Sequence, residues 1–165
     1  MIILGIDPGL NGAFAVLNGT ELTVSPMPVD AGGVCARGTW DLFMSYKGLA
    51  VTLGVPFFVA IEKSQVMPKQ GSVSGFTYGL GNGILIGQTI AVRPTGWVLV
   101  KPKQWQKDCW EGTDSELDPK QRSLQAVMRL FPDVEIQKRG PRSKKFHDGI
   151  VDAMLIAFWA RKYFV

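Results

Sequence analysis

The sequence predicts an α/β fold: a mixed five-stranded sheet flanked by helices on both faces. Three observations predict it. IILGID, AFAVLN and TELTVSP follow one another within the first 26 residues as short β-like runs separated by turn residues. PFFVAIEK and GWVLVKP are nearly continuous apolar runs, the pattern of strands buried on both faces. The segments between and after them carry helical spacing, so strands give way to alternating helices and strands.

The elements follow in order. The leading runs form a β-meander with Asp7 at the end of its first strand. In TWDLFMSYKGLAVTLG, Trp40, Phe43, Leu49 and Leu53 recur at helical spacing, with Thr39 as N-cap and Gly54 as the stop. PFFVAIEK is the central strand, and Glu62 stands at its exit. SGFTYGLGNGILIGQTIA places Gly75, Gly79, Gly83 and Gly87 on one helical ridge. Each helical glycine costs up to about 1 kcal/mol relative to alanine, so the ridge predicts a closely packed neighbouring backbone, either the chain's own sheet or a second subunit. PKQWQKDCW reads as a short helix opened by Pro102, and DPKQRSLQAVMRLFP as an amphipathic helix ended by Pro132. The last helix begins near His147. This layout is the one expected of a ribonuclease H-like fold.

A chain of 165 residues with 46% hydrophobic content suits a single domain, residues 1–165. Met1 leads straight into a strand without a basic leader, which predicts a cytoplasmic protein. GILIGQTIAV is too short and too interrupted for a membrane span. Cys35 and Cys109 lack metal-site spacing and read as reduced fillers. The net charge is +4, with a basic run of Lys138, Arg139, Arg142, Lys144 and Lys145. Such a run is either a solvated loop or a phosphate-binding patch.

Four acids carry the chemical argument. Asp148 and Asp152 lie one turn apart on the final helix, where like charges repel by roughly 0.2–0.5 kcal/mol. Asp7 and Glu62 end apolar strands, and adjacent strand ends are where ligands collect in α/β sheets. If the first and central strands are neighbours, all four acids converge. They could not all stay ionised without cations, and oxygen-only ligands select hard divalent ions such as Mg²⁺ or Mn²⁺. Two such ions would activate a water and stabilise a leaving 3′-oxygen, which is nuclease chemistry.

IDPG, IEKS, QGSVSGFTYG, VKPKQWQK, LFP and HDGIVDAMLIA, in this order from residue 2 to about 160, resemble the RuvC-type Holliday junction resolvases, especially the bacteriophage and organelle branch. The resemblance implies a homodimeric Mg²⁺-dependent endonuclease of ribonuclease H-like fold, with two ions per site, making paired nicks in four-way DNA junctions during recombination and repair. By motif, Asp7, Glu62, Asp148 and Asp152 are its catalytic metal ligands. The chain departs from many bacterial relatives, whose last two acids are three residues apart. That spacing would select Gly149 here, whereas the phage and organelle pattern accommodates Asp148. The glycine ridge corresponds to a helix of the family's dimer interface, and the protein of a phage would work in the host cytoplasm.

Supporting groups surround these acids. His147, the only histidine, is a candidate for phosphate contact or proton transfer, although a lone histidine is more often structural. The resemblance places a junction-contacting basic helix at Lys103, Lys107, Lys120 and Arg122, whose ordinary reading is solvated helix charge. Lys107 or Lys120 would offset charge on the scissile phosphate. Lys69 extends the DNA-binding set, and the resemblance implies an apolar wedge at the junction centre for which Met67 or Phe76 would serve, although a phenylalanine at the spacing of Phe76 is more often core. A sugar-kinase-type phosphotransferase needs a second domain for which there is no room. A non-catalytic junction-binding protein would have lost a carboxylate, and a nuclease acting on other branched DNA or on RNA–DNA hybrid would share the same acids.

Overall fold

The computed structural model describes residues 1–63, 71–134, 136 and 146–165. Strand β1 (Ile2–Asp7) runs antiparallel to β2 (Ala13–Asn18), which runs antiparallel to β3 (Glu21–Pro26). A small hairpin, β4 (Val29–Asp30) and β5 (Gly33–Val34), leads into helix α1 (Ala36–Leu53). Strand β6 (Phe57–Glu62), helix α2 (Ser72–Val92) and strand β7 (Gly96–Val100) follow. The chain ends in α3 (Pro102–Cys109), α4 (Pro119–Leu130) and α5 (Asp148–Phe164). The sheet order is β3-β2-β1-β6-β7, with β6 parallel to both β1 and β7. This is the expected mixed five-stranded sheet, with PFFVAIEK beside the first strand.

Strand alternation sorts side chains onto two faces. From β1 and β6, Ile2, Leu4, Ile6, Phe57, Val59 and Ile61 join Phe43 of α1 and Leu85 of α2 in one core. Ile3 and Ala60 enter the other core with Trp105, Ala126, Val127 and the buried face of α5. Counting on by two places Asp7 and Glu62 on this second face, under α5. Among the described residues, no helix is long and apolar enough to cross a membrane.

What lets α5 lie against β1 is Gly5. A Cβ there would collide with the backbone of Ala157 and stand 2.5 Å from the carbonyl oxygen of Ala153. Only glycine leaves a flat spot on a strand for a helix backbone to touch. A similar approach occurs at the N-terminus of α5, where a Cβ on Gly149 would strike the Asn11–Gly12 backbone. No side chain fits at that position, so the acid at this end of the helix is Asp148.

One expectation needs correction. Helix α1 begins earlier than Thr39: Cys35 is the N-cap, its Sγ accepting the Gly38 amide at 3.4 Å. Thr39 is buried inside the helix, and its hydroxyl donates to the carbonyl oxygens of Cys35 and Ala36. Gly54 does stop the helix, in the left-handed conformation expected of a C-terminal glycine. The β4–β5 hairpin was not foreseen, because two-residue strands are too short to show alternation. The glycine ridge does not pack on the chain's own sheet, since a Cβ at Gly75, Gly79, Gly83 or Gly87 would meet nothing within 4 Å among the described residues. The glycine of α2 in close internal contact is instead Gly81, against Val34.

Two glycine substitutions should therefore move stability in opposite directions. In urea unfolding, Gly5→Ala should cost about 3 kcal/mol or more by forcing α5 off β1. Gly48→Ala, in open space on α1, should raise stability by about 0.5–1 kcal/mol through helix propensity.

Candidate active site

The register of the parallel pair sets the site. Ile6 is paired with Ile61, so Asp7 and Glu62 leave adjacent strands side by side. Helix α5 brings Asp148 in its first turn and Asp152 one turn later. All four side chains are half-buried.

Burial and mutual repulsion raise three of them. Asp7 is pushed up to about 6, chiefly by burial; its Oδ1 accepts the Gly9 amide at 3.2 Å, which opposes the rise, and Asp148 adds to it. Glu62 is pushed up to about 7 by burial and by Asp7, against the stabilising hydrogen bond that Trp105 Nε1 donates to Oε2 at 2.8 Å. Asp152 rises furthest, to about 8, through burial and repulsion from Asp7 and Glu62; a hydrogen bond with Ser123 opposes this, and Asp148 adds a smaller repulsion. Asp7, Glu62 and Asp152 thus each lie close enough to at least one other acid of the four to be raised by it.

Asp148 is held differently. Lys120 Nζ of α4 contacts its Oδ2 at 2.6 Å. Lys120 is 71% exposed, so this pair contributes ~0–1 kcal/mol and the lysine can be redirected at little cost. Lys120 and Asp148 stand between two adjoining cavities. One, of about 460 Å³, is also lined by Asp7, the Gly9–Gly12 turn and Ser74, Thr77 and Tyr78 of α2. The other, of about 390 Å³, reaches Asp152, Ser123 and Phe146.

The donor set is oxygen-only, as a hard divalent cation requires. Among the described residues, however, no group of three or more His, Cys, Asp or Glu side chains stands in ligating geometry. The two facts are compatible. Asp7 and Asp148 line one cavity and Asp148 and Asp152 the adjoining one, while Glu62 is held by Trp105, so the acids are neighbours without closing on one point. Their chemistry fits a cation; their side chains would have to draw inward to hold it.

The other sequence candidates fall into three groups. Lys120 is at the acids. Lys107 and Arg122 line a separate cavity of about 590 Å³ with Asp108, Glu111 and Lys162, and Lys103 is exposed in the first turn of α3. Arg122 lies over the Trp110 ring, 4.7 Å from its centroid, and its Nε donates to Thr113 Oγ1. His147 caps α5, its Nδ1 accepting the Ile150 amide at 3.3 Å. Phe76 is 72% exposed near the start of α2 and is therefore not a core residue. Met67, Lys69, Lys138, Arg139, Arg142, Lys144 and Lys145 lie outside the described residues. Sequence reasoning missed Trp105, Trp110 and Ser123, which support the acids, and Ser74, Thr77 and Tyr78, which wall the cleft. A tryptophan inside the polar run KQWQK was the available signal.

The Thermus thermophilus RuvC in complex with a Holliday junction substrate has a similar fold, with a TM-score of 0.61 and 15% identity over 99% of this chain and 94% of that one. A second Thermus thermophilus RuvC structure gives 0.54 at 16% identity, covering 99% and 97% of the two chains. The yeast mitochondrial Holliday junction resolvase Ydc2 gives 0.51 at 16% identity, covering 95% and 76%. No protein-family model matches the sequence, and no curated protein matches it. At such identities the shared property is the fold, an α/β mixed five-stranded sheet of ribonuclease H-like type flanked by helices.

The raised acids fix a pH dependence. A folded-state pKa of about 6 to about 8, against 3.8 to 4.5 for the free groups, means the folded form holds protons that the unfolded form has released. The resulting stabilisation is complete below about pH 4 and is lost as pH rises through about 8. Metal-free thermal midpoints should fall over that window, and Asp152→Asn should flatten the fall and melt higher than wild type at pH 8. An unchanged profile would contradict the cluster's repulsion.

Proposed function

We propose that the chain is a Holliday junction resolvase of the RuvC type, in the bacteriophage and organelle branch, acting as a Mg²⁺-dependent endodeoxyribonuclease on four-way DNA junctions. The observation that carries this reading is the convergence of Asp7, Glu62, Asp148 and Asp152 from β1, β6 and α5 beside an exposed lysine. The RuvC-like fold supports it.

Asp7, Glu62, Asp148 and Asp152 would hold the cations. When bound, two hard divalent ions supply water activation and stabilisation of the leaving 3′-oxygen. Lys120, which is ion-paired with Asp148, would offset charge on the scissile phosphate were Asp148 to hold a cation. The turn after β1 and the Ser74, Thr77 and Tyr78 face of α2 bound the cavity a strand would enter. Phe76, exposed one turn into α2, is available as an apolar wedge at the junction centre. His147 keeps the first turn of α5 in place through its cap.

A second copy would complete the enzyme. Phe76, Leu80 and Ile90 are exposed on α2 and, with Gly83 and Gly87, follow alternating four- and three-residue steps along one face. Such a seam suits a facing helix, and the open glycines would admit its backbone closely. Two copies about a two-fold axis match a substrate of near two-fold symmetry and give paired nicks.

The test is cleavage of a four-way junction, a Y-fork, an RNA–DNA hybrid and a linear duplex in Mg²⁺. Wild type should nick opposing strands of the junction preferentially, and Asp7→Asn should lower the rate at least about a hundredfold. Absence of junction cleavage by wild type would contradict the resolvase reading, and preference for the fork or hybrid would reassign the substrate. In sedimentation, Gly83→Leu should shift the dimer toward monomer; an intact dimer would place the interface elsewhere.

A further inference from the structure

An indole N–H can donate a hydrogen bond but cannot accept one, so a buried tryptophan must be aimed at an acceptor. Trp105 of α3 is 1% exposed, and its acceptor is Glu62 Oε2 at 2.8 Å. Trp110, directly after α3, donates to Ser123 Oγ at 3.2 Å. Ser123 is 3% exposed and hydrogen-bonds Asp152. The direction of that last bond follows from proton count. The indole occupies a lone pair of Oγ, and in an ionised site Asp152 has no proton to give, so the single hydroxyl proton of Ser123 points at the carboxylate.

We propose that Trp105 and the Trp110–Ser123 pair are positioning residues: two donor lines, one from the middle of α3 and one from the residue that follows it, that fix the rotation of Glu62 and Asp152 toward the cation site. This rests on the metal reading of the four acids. Holding one oxygen of a planar carboxylate orients the other, which is how outer partners tune metal ligands. The two lines are braced together. The Trp105 and Trp110 rings meet edge to face at 6.3 Å, and Arg122 lies over Trp110 while bonded to Thr113.

The molecule contains its own control. Trp159 Nε1 donates to Asp108 Oδ2 at 3.0 Å, the same indole–carboxylate bond outside the four acids. Removing that bond should leave the cation site alone.

The experiment is calorimetric titration of Mn²⁺ into the full chain, with thermal midpoints recorded for every variant. Trp105→Phe and Ser123→Ala should weaken Mn²⁺ binding by about tenfold or more. Trp110→Phe should weaken it by a smaller factor, because Ser123 keeps its proton, and Trp159→Phe should bind like wild type. If Ser123→Ala does not fold, Ser123→Cys keeps the volume with a much weaker donor and should show the same loss. Wild-type affinity in Trp105→Phe and Ser123→Ala, whatever their thermal midpoints, would overturn the positioning role and leave the metal reading standing. Equal weakening by Trp159→Phe would also overturn it, since the effect would then be general loosening. A wild-type chain that takes up no Mn²⁺, behaving like Asp7→Asn, would overturn the metal reading and this inference with it.

Discussion

Repulsion among carboxylates is the constraint on which the site depends. Asp7 and Glu62 leave parallel neighbours at matched register, and α5 adds Asp148 and Asp152. A protein under selection for stability alone would not gather Asp7, Glu62 and Asp152 where burial already disfavours their charge. The cost is met locally by a small set of donors: the Gly9 amide on Asp7, Trp105 on Glu62, Ser123 on Asp152 and Lys120 on Asp148. Three of these are fixed by packing or backbone. The fourth, Lys120, sits on a solvent-exposed stem and is the one that can leave.

The fold serves this arrangement through shape. Gly5 makes a flat place on β1 where the α5 backbone can rest, and Gly149 lets the first turn of that helix press against the Asn11–Gly12 turn. Close contact at both points fixes the height and the tilt of α5 above the sheet. The acids of the helix and those of the strands therefore face one another without a loop between them. The opposite face of the sheet, covered by α1 and α2, carries packing and leaves the outer side of α2 open to solvent.

Much of this was legible in the residues themselves. The long apolar run at PFFVAIEK was enough to mark a central strand with Glu62 at its exit, but its place beside β1 was only a condition of the argument until the sheet order supplied it. Gly54 and Pro102 marked their helix ends because backbone conformation alone dictates them. Thr39 misled because a β-branched hydroxyl residue suits a helix interior as well as a cap once it can bond back to the preceding turn. The glycine ridge was read correctly as a ridge, but sequence cannot say which surface a helix turns toward its own sheet. Trp105 and Ser123 were invisible for a related reason. Their partners lie 43 and 29 positions away, and nothing local distinguishes a tryptophan that fills space from one that also aims a proton.

The central claim is that a divalent cation relieves the repulsion stored between these four acids. It is tested most directly by the thermal midpoint at pH 8 as Mg²⁺ is raised, in wild type and in the double variant Asp7→Asn, Asp152→Asn. A ligand that binds only the folded state raises its midpoint with concentration. The account predicts a steady rise in wild type and a flat response in the variant, which should start higher. A parallel rise in both, or none in either, would contradict it.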